Sequence, residues 1–152
     1  MKTPFALYPL LLLHFLLGAG ALYGGWILMT DPGVFGADPA WLEGTPFGSY
    51  FIPGLLLFLL MGVFPLLVGW GLLRRPAGTR AGVFNIYPER HWAWTYSLFT
   101  GLIVIIWITV QLTMLPGSWL QPFYISIGLL ILVLTLSPAV MKYYLVRHEG
   151  TA

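Results

Sequence analysis

His91–Leu115, HWAWTYSLFTGLIVIIWITVQLTML, decides the fold class. It runs for 25 residues without a formal charge, with Arg90 in front and Pro116-Gly117 behind. At about 1.5 Å per residue, a helix of this length crosses a hydrocarbon core of roughly 30 Å. Trp92 and Trp94 stand at its start, where amphipathic rings favour the headgroup level. Three further apolar segments, at about 5–29, 50–73 and 122–145, read as its partners.

The composition agrees. Of 152 residues, 59% are hydrophobic and 8% charged, where a soluble domain would carry about 25% charged. Mean hydropathy is +0.86. The segments leave no room for a soluble domain beside them, so residues 1–152 read as one transmembrane domain. A net charge of +2 does not point to nucleic acid, because the basic residues lie where membrane topology puts them. The absence of cysteine excludes a disulfide, a thiolate nucleophile and a Cys-ligated metal.

The first segment opens after Lys2 like a signal peptide, but its hydrophobicity continues through Met29, so it reads as a retained helix. Gly18, Gly20, Gly24 and Gly25 occupy its second half, and Gly20 and Gly24 stand as GxxxG. Small residues at that spacing allow close backbone approach, and intramolecular packing is the expected use. An outer loop at 30–49 follows, carrying Asp31, Asp38 and Glu43. The second segment has Pro53 in its first turn. Pro65 in its interior is expected to free the Met61 carbonyl and kink the helix. A basic loop at 74–90 leads to the third segment, and the fourth contains an interior Pro138.

Four spans put both termini and the 74–90 loop on one side. Lys2, Arg74, Arg75, Arg80, Arg90, Lys142 and Arg147 all fall there, and the 30–49 loop has no basic residue. The positive-inside rule then places both termini in the cytoplasm. The expected architecture is an all-α, antiparallel four-helix transmembrane bundle, N-in and C-in.

Depth along each segment selects two polar clusters. His14 lies roughly 13 Å in from the basic edge, with Thr100, Thr135 and Ser137 at a similar level. A titratable group within a span is a functional candidate by default, whereas the structural alternative is one hydrogen bond that sets helix register. Near the opposite face, Gln111 matches Tyr23, Trp26, Tyr50, Gln121 and Tyr124, a possible pocket for an amphipathic ligand or simply an aromatic belt.

Other chemistries find no candidates. His14, His91 and His148 lie at unmatched depths for a bis-histidine haem, and no Asp or Glu lies within a span to relay protons. There is no Gly-rich phosphate loop, zinc-ligand pair or serine nucleophile motif. The three outer acids read as a solvated surface rather than a cation site, which would need six or more fixed oxygens.

GAGALYGGWILMTDPG (18–33), TPFGSYFIPGLLLF (45–58), HWAWTYSLFTGLIVIIWITVQ (91–111) and LQPFYISIGLLIL (120–132) together resemble an uncharacterised family of small four-span bacterial integral membrane proteins. The resemblance implies four helices and a bacterial inner membrane, and it carries no activity or functional residues. The expected role is a non-catalytic structural or accessory subunit that contacts membrane lipids, other integral membrane subunits or itself. The alternative is a lipid- or quinone-type binder, transporter or enzyme using a pocket in the bundle. No cofactor is expected beyond such a bound lipid or quinone.

Overall fold

The computed structural model describes residues 2–76 and 80–146. Among these residues every regular element is helical and no strand forms; one isolated antiparallel bridge joins Arg90 to Leu145. Helix α1 spans Leu7–Thr30, α2 Phe51–Arg74, α3 Trp92–Met114, α4 Leu120–Thr135 and α5 Pro138–Tyr143. The first three, with 24, 24 and 23 residues, are long and apolar enough to cross a membrane. Helix α4 is apolar but has only 16 residues, about 24 Å of rise. Arg147, His148 and the rest of the tail lie outside the described residues.

The buried positions follow the helical period. In α1 they are Leu7, Leu10, His14, Leu17, Gly18, Ala21 and Gly25, which form one stripe down the helix. In α3, Trp94, Ser97, Gly101, Val104 and Ile108 form another. Outside these stripes the helices expose Leu12, Leu16, Leu67, Ile106 and Val133, as lipid-facing surfaces do.

The two interior prolines have different consequences. Ahead of Pro65, α2 widens into a seven-residue π-helical stretch, Leu57–Val63, with the Phe64 N–H reaching back to the Leu59 carbonyl. Widening the turn absorbs the bond that proline cannot make, and the chain continues as helix from Phe64 to Arg74. The irregularity expected at Pro65 takes the form of this π segment. Pro138 instead breaks its helix. Ser137 before it is extended, at φ −60° and ψ 137°, because the proline ring disfavours the helical region for its predecessor. The expected helix over 122–145 is therefore two helices, α4 and α5, separated at Leu136-Ser137.

Glycine brings neighbouring backbones together at two seams. A β-carbon on Gly25 would lie 2.7 Å from the Gly54 carbonyl oxygen, and one on Gly18 would lie 3.0 Å from that of Gly62. Gly69 faces His14 farther along, so α1 and α2 run in opposite directions. Between α3 and α4, a β-carbon on Gly101 would sit 2.9 Å from the Gly128 oxygen, and one on Gly128 would sit 3.0 Å from the Gly101 oxygen. Side chains do not fit at such contacts, which is why small residues mark them.

Candidate functional site

The polar groups concentrate where α2 and α5 end and α3 begins. The last carbonyls of a helix have no partner within it, and here aromatic and cationic side chains supply one. The Tyr144 hydroxyl, fully buried, donates to the Leu72 carbonyl at 2.5 Å. Arg75 donates to the Tyr143 carbonyl at 2.9 Å, and its guanidinium stacks 4.3 Å from the Tyr143 ring centroid. Arg90 donates to the Met141 carbonyl at 2.5 Å and lies 4.6 Å from the Trp94 ring centroid. Cations at the C-terminus of α5 also meet the negative end of its dipole. Arg75 adopts a left-handed backbone, φ 50°, as the residue closing α2.

His91 is the hub between these termini. Its Nδ1 accepts the Ala93 N–H at 3.3 Å, capping α3, while Nε2 lies 2.9 Å from the Pro76 carbonyl. A carbonyl only accepts, so Nε2 carries the proton and both ring nitrogens are used. Burial holds the imidazole pKa below its ordinary 6.5; the Pro76 bond opposes that shift, and the Arg75 charge adds to it.

Trp92 and Trp94, at the start of α3, face into the protein, at 9% and 2% exposure. The Trp94 indole donates to the Thr135 carbonyl at 2.9 Å, a group left open where α4 ends. The rings that do face outward near helix ends are Trp26, Trp70 and Trp119.

The inner cluster is partly assembled. Thr135 is fully buried and its hydroxyl lies 2.7 Å from that of Ser97. Thr100 donates to its own helix at the Tyr96 carbonyl, 2.9 Å away, and Ser137 does the same at Leu134, 2.7 Å away. Ser97 was not singled out by depth, although it stands one turn before Thr100; that spacing was the available signal. His14, fully buried, lies with Nδ1 2.9 Å from the Leu10 carbonyl. Nδ1 therefore carries the proton, and Nε2 is an acceptor with no partner.

The outer cluster is spread over several local arrangements. Tyr23 and Trp26 are exposed, and Tyr23 meets Phe35 edge-on at 6.2 Å. The Tyr50 hydroxyl donates to the Asp38 carbonyl at 2.6 Å. Gln121 is buried and serves its own turn: its Oε1 accepts from the Ser118 hydroxyl at 2.7 Å and its Nε2 donates to Pro116 at 3.3 Å. Gln111 is half-buried in α3. Tyr124 places its hydroxyl 3.8 Å from where a Gly20 β-carbon would be.

The four glycines of α1 divide into two kinds. Gly18 and Gly25 form the tight seam with α2. Gly20, which is exposed, and Gly24 meet nothing closer than 3.8 and 3.6 Å. The internal contact thus uses a seven-residue spacing, and the GxxxG pair does not form it.

Among the described residues, no three His, Cys, Asp or Glu side chains gather as a metal-holding group. Comparison of the chain with protein-family models, with curated proteins and with solved structures finds no match.

Proposed function

We propose that this chain is a non-catalytic accessory subunit of a larger assembly in a bacterial inner membrane. Its four apolar segments each cross the bilayer, the fourth as a broken helix, and both termini are cytoplasmic. The one-sided distribution of basic residues supports that orientation: Lys2, Arg74, Arg75, Arg90 and Lys142 all lie outside the 30–49 loop, which carries Asp31, Asp38 and Glu43 and no basic residue.

The observation that carries the accessory reading is Gly20. It stands exposed on α1 between Leu16 and Tyr23, both also exposed, and its GxxxG partner Gly24 makes only ordinary contact. The fold spends Gly18 and Gly25 on its own packing and leaves a second small-residue face open for another helix. Lipid provides no hydrophobic drive between helices, so close backbone approach is what selects a partner.

Native mass spectrometry of the protein extracted gently from its own membrane tests this reading. A stoichiometric complex with another membrane subunit is expected, lost in Gly20→Val while the melting temperature is kept. A lone protomer in the wild type overturns the reading.

A second reading rests on His14. Its Nε2 lone pair, buried and unpartnered, suits the hydroxyl of a quinol- or lipid-type ligand. Retention of a defined small molecule by the extracted protein, lost in His14→Phe, would favour it.

A further inference from the structure

Between α2 and α3 at the basic end lies a half-open furrow of about 250 Å³. Its floor is Val68 and Trp92, both buried; Phe64, Leu67, Trp70 and Tyr96 form its sides, and Leu67 and Trp70 are 57% and 50% exposed. The walls are almost wholly apolar. The volume falls below the roughly 300–1,000 Å³ of enclosed small-molecule pockets. It suits one flexible hydrocarbon chain entering from the side.

Charge marks the end of the furrow. Leu67, Trp70 and Arg74 fall at i, i+3 and i+7 on α2 and so share one face of the helix. Arg74 is the exposed last residue of that face, and Pro76, two residues on, also lines the furrow. Unlike Arg75 and Arg90, Arg74 is not drawn into the carbonyl bonds that tie the helix ends. Its guanidinium remains for an anion at headgroup level, where a basic side chain is drawn to an anionic surface.

We propose that this furrow is a binding site for an anionic phospholipid, with one acyl chain against Trp70 and Trp92 and the headgroup phosphate at Arg74. The site is separate from the Gly20 face and does not depend on the accessory reading.

The test uses full-length protein in nanodiscs of phosphatidylcholine. Phosphatidylglycerol with brominated acyl chains is titrated in, and tryptophan fluorescence is followed. Brominated phosphatidylcholine is the reference, and Trp70→Phe isolates the furrow's share of the signal. The Trp70-dependent quenching is expected at several-fold lower mole fraction for the anionic lipid. Arg74→Gln should bring the two lipids together, Arg74→Lys should keep much of the preference, and Lys142→Gln should leave it intact. Equal quenching by both lipids in the wild type overturns the proposal, as would an equal loss in Lys142→Gln, which would mean diffuse surface charge. Absence of any Trp70-dependent quenching also overturns it, since the furrow would then be closed to lipid, as by a partner helix. Trp70 and Arg74 are both exposed, so these variants should fold, and the wild-type comparison of lipids stands without them.

Discussion

At the basic end, Tyr144, Arg75 and Arg90 reach across more than fifty residues of chain to carbonyls of other helices. At the opposite end the polar bonds reach less far: Asp38 caps Ala40 two residues away, Thr45 bonds Leu42, Gln121 bonds Ser118, and the longest, Tyr50 to Asp38, spans twelve residues. What joins the helices there is backbone proximity, at Gly25 against Gly54. One end is tied by directional side-chain bonds and the other by the absence of side chains. Substitutions should therefore hurt in different ways at the two ends. Removing atoms matters at the first end, and adding them matters at the second and also at Gly71, where a β-carbon would run into the Trp92 ring.

The glycine seams should show the largest effects. Gly101→Val and Gly25→Val drive new carbons into carbonyl oxygens that belong to backbone and cannot rotate away, so about 3 kcal/mol of destabilisation is expected for each. Gly20→Ala should be neutral or stabilising by up to about 1 kcal/mol, because alanine has the higher helix propensity and the space is open. Unfolding in mixed micelles against a denaturing detergent measures all three. If Gly20→Ala costs as much as Gly25→Val, the division of the α1 glycines is mistaken.

Tyr144→Phe comes next. It leaves the ring in place and removes the donor to Leu72, where neither group reaches water. A loss of about 1–3 kcal/mol is expected by the same unfolding assay. Arg75→Met should cost less, about 0.5–1 kcal/mol, because its stacking on Tyr143 occurs at an exposed site.

His91 adds a pH dependence to the clamped end. Its native pKa lies below 6.5, chiefly through burial, so the folded state favours the neutral ring. The unfolded chain then binds more protons just below pH 6.5. Stability from this group is complete above that pH and declines as pH falls through the depressed native value. Melting temperatures between pH 8 and 5 should fall more steeply for the wild type than for His91→Asn, which can still cap α3. Equal slopes would remove His91 from the clamp.

Helix existence was legible in the sequence because charge is so sparse: the four apolar segments stand out, and three of them match helices within one or two residues. The fate of the prolines was not legible. Pro65 and Pro138 look alike in a string of apolar residues, yet one is absorbed by a π-helical turn and the other breaks the chain. The choice depends on what stands opposite, with Gly18 and Gly25 of α1 against the widened stretch of α2 and the Trp94 indole against the carbonyl at Thr135. Depth matching singled out Thr135 but could not tell that its partner would be Ser97. Depth gives one coordinate, and facing requires the rotation of each helix. The facing of Trp92 and Trp94 was hidden for the same reason, since a ring at the start of a span can point outward or to the bundle axis.

The smallest effect should come from the outer loop, at Tyr50. Its hydroxyl donates to the Asp38 carbonyl at 2.6 Å, close in length to the 2.5 Å bonds of Tyr144 and Arg90. Length is a poor guide to its worth, because the bond is exposed and water replaces the hydroxyl when it is lost. The Asp38 side chain would still hold the turn through Ala40 at 2.9 Å. Tyr50→Phe is therefore expected to change stability by less than about 0.5 kcal/mol. Tyr144→Phe deletes the same atom from the same residue type, so the pair isolates burial as the variable. If the two variants lose equal stability, the outer loop is part of the framework and the contrast between the ends fails. If Tyr50→Phe is silent, the bond from Tyr50 to Asp38 is not part of the framework, and the loop's hold on α1 falls to packing such as Phe35 on Tyr23.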